Sequence, residues 1–193
     1  MTHLTYKKTS IRSKCLQDRA RLSAADCRIA TDTVTETLSA FFKEHPAAVI
    51  CTYYPIQNEL SPMPFLNRII DDITLVMPRY NAERDDYEIA EVRNLDSDLV
   101  QGNYDIQEPA SSCPVYPKKD VSLWLIPGLA FDHTGARIGF GSGIYDRLLA
   151  DTTGLKVGLA HDFQLIKTIP QDDHDIKMDF IITPSSTYDC RVG

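Results

Sequence analysis

The chain contains no apolar run approaching the roughly 20 residues that a membrane-spanning helix needs, so no integral membrane span is expected. It has no CxxC pair, and its five cysteines, Cys15, Cys27, Cys51, Cys113 and Cys190, are scattered and odd in number. That spacing argues against a disulfide framework and against a zinc site, and for reduced thiols that fill the core. Positive charge is not in excess either: 20 basic residues stand against 27 acidic ones, a formal net charge of −7. General nucleic-acid binding needs a basic face to displace counterions and is thereby disfavoured. A local cationic pocket for a small anion is not. Residues 1–14 are polar and lack the apolar block of a secretory signal, so a cytoplasmic location is expected. Internal repeats and linkers long enough to divide domains are missing too.

The 193 residues, 43% hydrophobic and 24% charged, suit one globular domain over 1–193 with one sizeable core. Residues 10–22 are rich in Lys, Arg, Gln and Ala and predict a helix. Ser23 then offers a cap to a second helix, with Asp26 in its first turn. Ala30, Val34, Leu38 and Phe41 form its apolar stripe, and His45-Pro46 ends it. Short apolar runs parted by turns follow, predicting strands at 47–53, 73–77, 87–92, 121–126, 156–160 and 180–182. Ser61-Pro62 reads as a helix entrance, with Pro62 in the first turn. This alternation predicts an α/β fold: a single compact domain with a mainly parallel central sheet flanked by helices. The polar, Pro-bearing stretch 94–119 reads as a long surface connection.

Gly139, Gly141 and Gly143 alternate between a strand ending at Pro127 and a predicted helix. Glycines so closely spaced let backbone N–H groups approach an anion, and a following helix would add its positive end. Arg137 and Arg147 flank the loop and could neutralise phosphate charge. Asp146 offers the hard oxygen ligand that Mg²⁺ prefers. The spacing matches neither the GxGxxG of dinucleotide-binding folds nor a P-loop.

The flanking residues are more specific. Pro127-Gly-Leu-Ala-Phe-Asp132, then Gly135-Ala-Arg-Ile-Gly-Phe-Gly-Ser-Gly-Ile-Tyr-Asp146, resembles the signature of the 5-formyltetrahydrofolate cyclo-ligase (5,10-methenyltetrahydrofolate synthetase) family. Lys8-Thr-Ser-Ile-Arg12, Tyr54-Pro-Ile-Gln-Asn-Glu59, Ile106-Gln-Glu-Pro109, Val157-Gly-Leu-Ala160 with Gln164, and the stretch from His174-Asp175 through Asp179 to Thr183 fit as well. The resemblance covers nearly the whole chain and implies a compact α/β domain of the CoA-transferase-like kind. Two positions depart: Ser142 stands where the family usually has Gly or Lys, and Ile144 where an aromatic often precedes Tyr145. They leave open a binding module that has kept the fold without turnover.

The resemblance implies ATP-dependent closure of 5-formyltetrahydrofolate to 5,10-methenyltetrahydrofolate, with ATP as co-substrate and Mg²⁺ as metal. Phosphorylating the formyl oxygen turns a poor leaving group into phosphate, which N10 then displaces. Such chemistry rests on alignment and charge stabilisation. The catalytic candidates are Arg137 and Asp146, with Asp146 also the metal ligand. Lys8, Arg12, Gly139, Phe140, Gly141, Ser142, Gly143, Ile144 and Tyr145 are the ATP-binding candidates. Lys8 and Arg12 lie four apart on one helix face. Glu59 and Tyr145 are the substrate-binding candidates. Tyr53, Tyr54 and Trp124 are expected as core or pocket wall. His133, and the His-Asp pairs at His161 and His174, lack metal-ligand spacing. The pairs Asp71-Asp72, Asp85-Asp86 and Asp172-Asp173 read as solvated surface. A monomer acting on small molecules, without nucleic acid or membrane, is the expectation.

Overall fold

The computed structural model describes residues 3–102, 105–172 and 175–191. Asp173 and His174, named above, lie outside them. Helix α1 (His3–Ala20) starts earlier than the composition suggests. The reason is tertiary: Lys8, Cys15 and Arg19 are buried on one face, with Ile11 and Leu16 packed beside Cys15, so the helix is fixed by what it covers. Helix α2 (Ala24–Glu44) begins at Ser23, whose side chain accepts the Asp26 N–H while the Asp26 carboxylate accepts the Ser23 N–H. This reciprocal cap satisfies two otherwise orphaned donors.

A seven-stranded sheet follows, built from β1 (Val49–Cys51), β2 (Thr74–Asn81), β3 (Asp86–Val92), β6 (Leu123–Pro127), β9 (Leu155–Leu159), β10 (Phe180–Ile182) and β11 (Thr187–Asp189). Its order is β11-β10-β9-β6-β1-β2-β3. The run from β10 to β2 is parallel, and antiparallel partners close both edges. Alternation sorts the core onto two faces. Ile50, Leu75, Leu123, Leu125 and Val157 meet α2 and α3 (Met63–Ile69). Cys51, Val76, Trp124, Ile126 and Ile181 meet α4 (Ile144–Leu149) on the other face. Both faces are covered, which is why these strands read as continuous apolar runs.

Three expectations need correction. Pro62 is the cap of α3 and Pro64 occupies its first turn. The stretch 94–119 carries a hairpin, β4 (Leu99–Gln101) and β5 (Gln107–Pro109). It is tied to β2 through Arg79, whose guanidinium donates to the Ala110 and Cys113 carbonyls, and through Glu108, which accepts the Tyr80 N–H. Nothing local in 94–119 announces those anchors. Finally, the helix after the glycines is only the six residues of α4, too short to sum much dipole.

Strands β1 and β2 run to one side of the sheet and β6 lies on the other side of β1. In open parallel sheets such a reversal leaves a crevice beyond the carboxyl ends of the strands, where ligands bind. The segment after β1 carries Glu59, and the segment after β6 carries the glycines.

Candidate active site

After Pro127 the chain turns through a small hairpin, β7 (Ala130–Phe131) and β8 (Arg137–Ile138). The buried Asp132 carboxylate organises it, accepting the Thr134 and Ala136 N–H groups on one oxygen and the Ile169 N–H on the other. The Gln164 amide donates to the Gly128 and Leu129 carbonyls. These two side chains tie the hairpin to the chain around it. The hairpin delivers Arg137, and residues 139–143 follow.

In that loop Gly141 (φ +109°) and Gly143 (φ +67°) sit in backbone regions that L side chains rarely adopt. Two arginines hold its carbonyls: Arg12 Nε donates to Gly139 O at 2.9 Å and Arg147 Nη1 to Ser142 O at 2.8 Å. Among the described residues, no backbone N–H from 139 to 143 has a protein partner. The loop therefore presents free donors and cations, the arrangement an anion requires. Arg137 is buried beneath it. Its Nη2 meets Asp146 Oδ1 at 3.2 Å, its guanidinium lies 5.5 Å from the centre of the Tyr145 ring, and its Nε has no partner. Lys8 bonds to Asp172 at 2.8 Å and Asp175 at 2.5 Å. Burial alone would lower its pKa, but these two hydrogen bonds outweigh it and raise the value. Asp172 is thus a partner of Lys8 rather than mere solvated surface.

Across the crevice, Gln57 and Asn58 both have positive φ, and the Glu59 N–H closes the turn on the Ile56 carbonyl at 2.8 Å. Asparagine tolerates that geometry and glutamine does so less readily, so the turn is held from outside. Arg19 Nε donates to Gln57 O at 2.8 Å, and the Asn58 amide returns to Arg19 O at 3.1 Å. His161 Nε2 lies 2.9 Å from Asn58 O; a carbonyl only accepts, so that nitrogen carries the proton. Tyr53 donates its hydroxyl to Leu60 O at the end of the segment. Burial raises the Glu59 pKa, and the Arg19 guanidinium works against that rise. Both loops line one cavity of about 890 Å³, within the size range of small-molecule sites. Lys8, Arg12, Glu59, Arg137, residues 139–145 and Asp146 all face it.

The 5-formyltetrahydrofolate cyclo-ligase family model matches residues 4–184. The chain belongs to this family. A Mycolicibacterium smegmatis relative named 5-formyltetrahydrofolate cyclo-ligase is 26% identical, over 92% of this chain and 93% of its own length. One of the same name from Mycoplasma genitalium is 31% identical, over 91% and 96%. The solution structure of Aquifex aeolicus 5,10-methenyltetrahydrofolate synthetase matches with a TM-score of 0.86 and 31% identity, covering 96% of this chain and 94% of that one.

For a cyclo-ligase family member the donors around Asp146 bear on a metal. Among the described residues no group of three or more His, Cys, Asp or Glu gathers. Asp146 Oδ1 is shared by Arg137 and, at 3.4 Å, the Ile176 N–H. A single carboxylate beside a loop with free N–H donors fits the few protein ligands that Mg²⁺ takes when a nucleotide supplies the rest. The two departures are benign to the loop's shape: Ser142 is exposed and Ile144 packs against the Trp124 cluster. Arg19 was missed by sequence reasoning, although it lies seven residues beyond Arg12, on the same helix face. Tyr54 lines the cavity and Trp124 is fully buried.

Proposed function

We propose that this chain closes 5-formyltetrahydrofolate to 5,10-methenyltetrahydrofolate at the expense of ATP, giving ADP and phosphate. The observation that carries the reading is one cavity holding both a phosphate-type loop and a carboxylate suited to a pterin. The unpartnered N–H groups of 139–143 and the Arg12 guanidinium receive the ATP phosphates, with Phe140, Ser142, Ile144 and Tyr145 shaping the site. Lys8, held by Asp172 and Asp175, adds a cation at the rim of the same cavity. Glu59 accepts hydrogen bonds from the pterin amino groups, and Tyr145 packs against the folate. Asp146 holds Mg²⁺, which when bound neutralises phosphate charge.

The chemistry needs no protein nucleophile. The formyl oxygen attacks the γ-phosphorus and ADP leaves. N10 adds to the activated carbon and loses its proton to the departing phosphate or to water, and the C–O bond to phosphate breaks to give the cationic methenyl bridge. Arg137, whose side chain lines the cavity beside Asp146, stabilises charge on the transferring group. Such preorganised donors lower barriers by about 2.7–4 kcal/mol each.

The test mixes the protein with 5-formyltetrahydrofolate, Mg²⁺ and ATP and follows the near-ultraviolet absorbance of the methenyl product. An ATP-dependent rise that Asp146→Ala abolishes supports the reading. No rise, with both ligands still binding, would show a binding module instead.

A further inference from the structure

Arg19 is 1% exposed, the deepest cation of the fold among the described residues, and it does not line the cavity. Two of the groups its guanidinium meets, the Glu59 carboxylate and the Phe140 ring, nevertheless do. Nη1 meets Glu59 Oε1 at 3.3 Å and Nε holds the Gln57 carbonyl at 2.8 Å. The guanidinium carbon lies 5.7 Å from the centre of the Phe140 ring in the glycine loop. Nη2 is buried without a partner. Burying a guanidinium with an unsatisfied donor is expensive, and stability alone would be better served by an apolar side chain.

We propose that Arg19 is a positioning residue for folate: it fixes the Glu59 carboxylate, ionised and aimed into the cavity, for the pterin. The proposal rests on the reading of Glu59 as the pterin acceptor. The geometry leaves little else to do this. The other Glu59 oxygen accepts the Ile56 N–H at 3.1 Å, which restrains rotation but brings no charge. The remaining polar groups nearby are the Tyr53 and Tyr145 phenols, and His161 beyond Asn58. Burial and the Arg19 cation both disfavour protonation of His161. Arg19 is therefore the cation that opposes the desolvation of Glu59, and its loss must let the carboxyl hold its proton to higher pH.

The experiment measures kcat/KM for 5-formyltetrahydrofolate against pH, at saturating ATP, in the wild type, Arg19→Gln, Arg19→Lys and Glu59→Gln. The wild type should lose activity on the acid side, and Glu59→Gln should lower kcat/KM and flatten that limb. Arg19→Gln should cost about 10- to 100-fold, mostly in folate KM, and move the limb to higher pH. Arg19→Lys keeps the cation without the two-pronged grip, so the limb should return toward its wild-type place while KM stays raised. A limb unmoved in Arg19→Gln overturns the inference. Should Arg19→Gln fail to fold, wild-type kcat/KM in Arg19→Lys overturns it instead. Wild-type behaviour in Glu59→Gln would sink the pterin reading itself, and the inference with it.

Discussion

Replacing Gly141 with alanine adds one methyl group to the middle of the anion loop. The new Cβ would lie 3.4 Å from Arg12 Cζ, at the edge of ordinary contact, so no neighbour need move far. The cost is in the backbone. At φ +109° the residue lies well outside the left-handed well near +60° that other residues can visit. Holding alanine there costs about 2–3 kcal/mol. If the free loop keeps its shape, that sum appears as lost stability. If the free loop relaxes, it appears as weaker nucleotide binding, by roughly 30- to 150-fold. The two losses together should reach the same total. Gly143, at φ +67°, lies inside the left-handed well, and alanine there should cost only about 1–2 kcal/mol. Calorimetric titration with a non-hydrolysable ATP analogue, paired with urea unfolding, reads both quantities. Gly141→Ala matching the wild type in both, or proving milder than Gly143→Ala, would refute the reasoning.

Arg137→Met should lower kcat by about 10²–10³-fold with a smaller change in ATP KM; a loss confined to KM would assign Arg137 to ground-state binding. Burial, aided by the Arg19 cation, lowers the His161 pKa despite its bond to Asn58 O. The unfolded chain then takes up this proton near pH 6.5 and the folded chain only below it. Stability from this group is complete well above that value and falls as pH drops through about 6.5 toward the lower folded-state pKa, by at most about 1.4 kcal/mol per unit. Urea unfolding should show that slope reduced in His161→Gln; an unchanged slope would place the titration elsewhere.

The parts of this protein legible in its sequence are those whose cause is local. Ser23 and Asp26 cap α2 through groups three residues apart, and the match at 180–182 is complete because a short apolar run between turns has few alternatives. The glycine loop was legible because a loop that offers free N–H groups to an anion needs small residues and flanking cations in close succession. Other features depend on partners far along the chain. The hairpin inside 94–119 exists because Arg79 and Glu108 tie it to β2. Lys8 is an ATP-site candidate from the family pattern, but its anchors Asp172 and Asp175, more than 160 positions away, appear only in the folded structure. Arg137 and Asp146 were each assigned to the phosphate site, but their mutual contact at 3.2 Å appears only in the folded structure.

The sequence by itself determined the α/β alternation, the family and the chemistry offered by each candidate residue. Propensity, capping and motif are short-range properties, and they survive without coordinates. The tertiary structure alone decided that the loop after β1 and the loop after β6 face one cavity, and that a buried arginine from α1 stands behind Glu59. Those facts follow from strand order, which places β1 beside β6 although 71 residues separate Cys51 from Leu123. Strand order is set by which apolar faces can be buried together, a property of the whole chain.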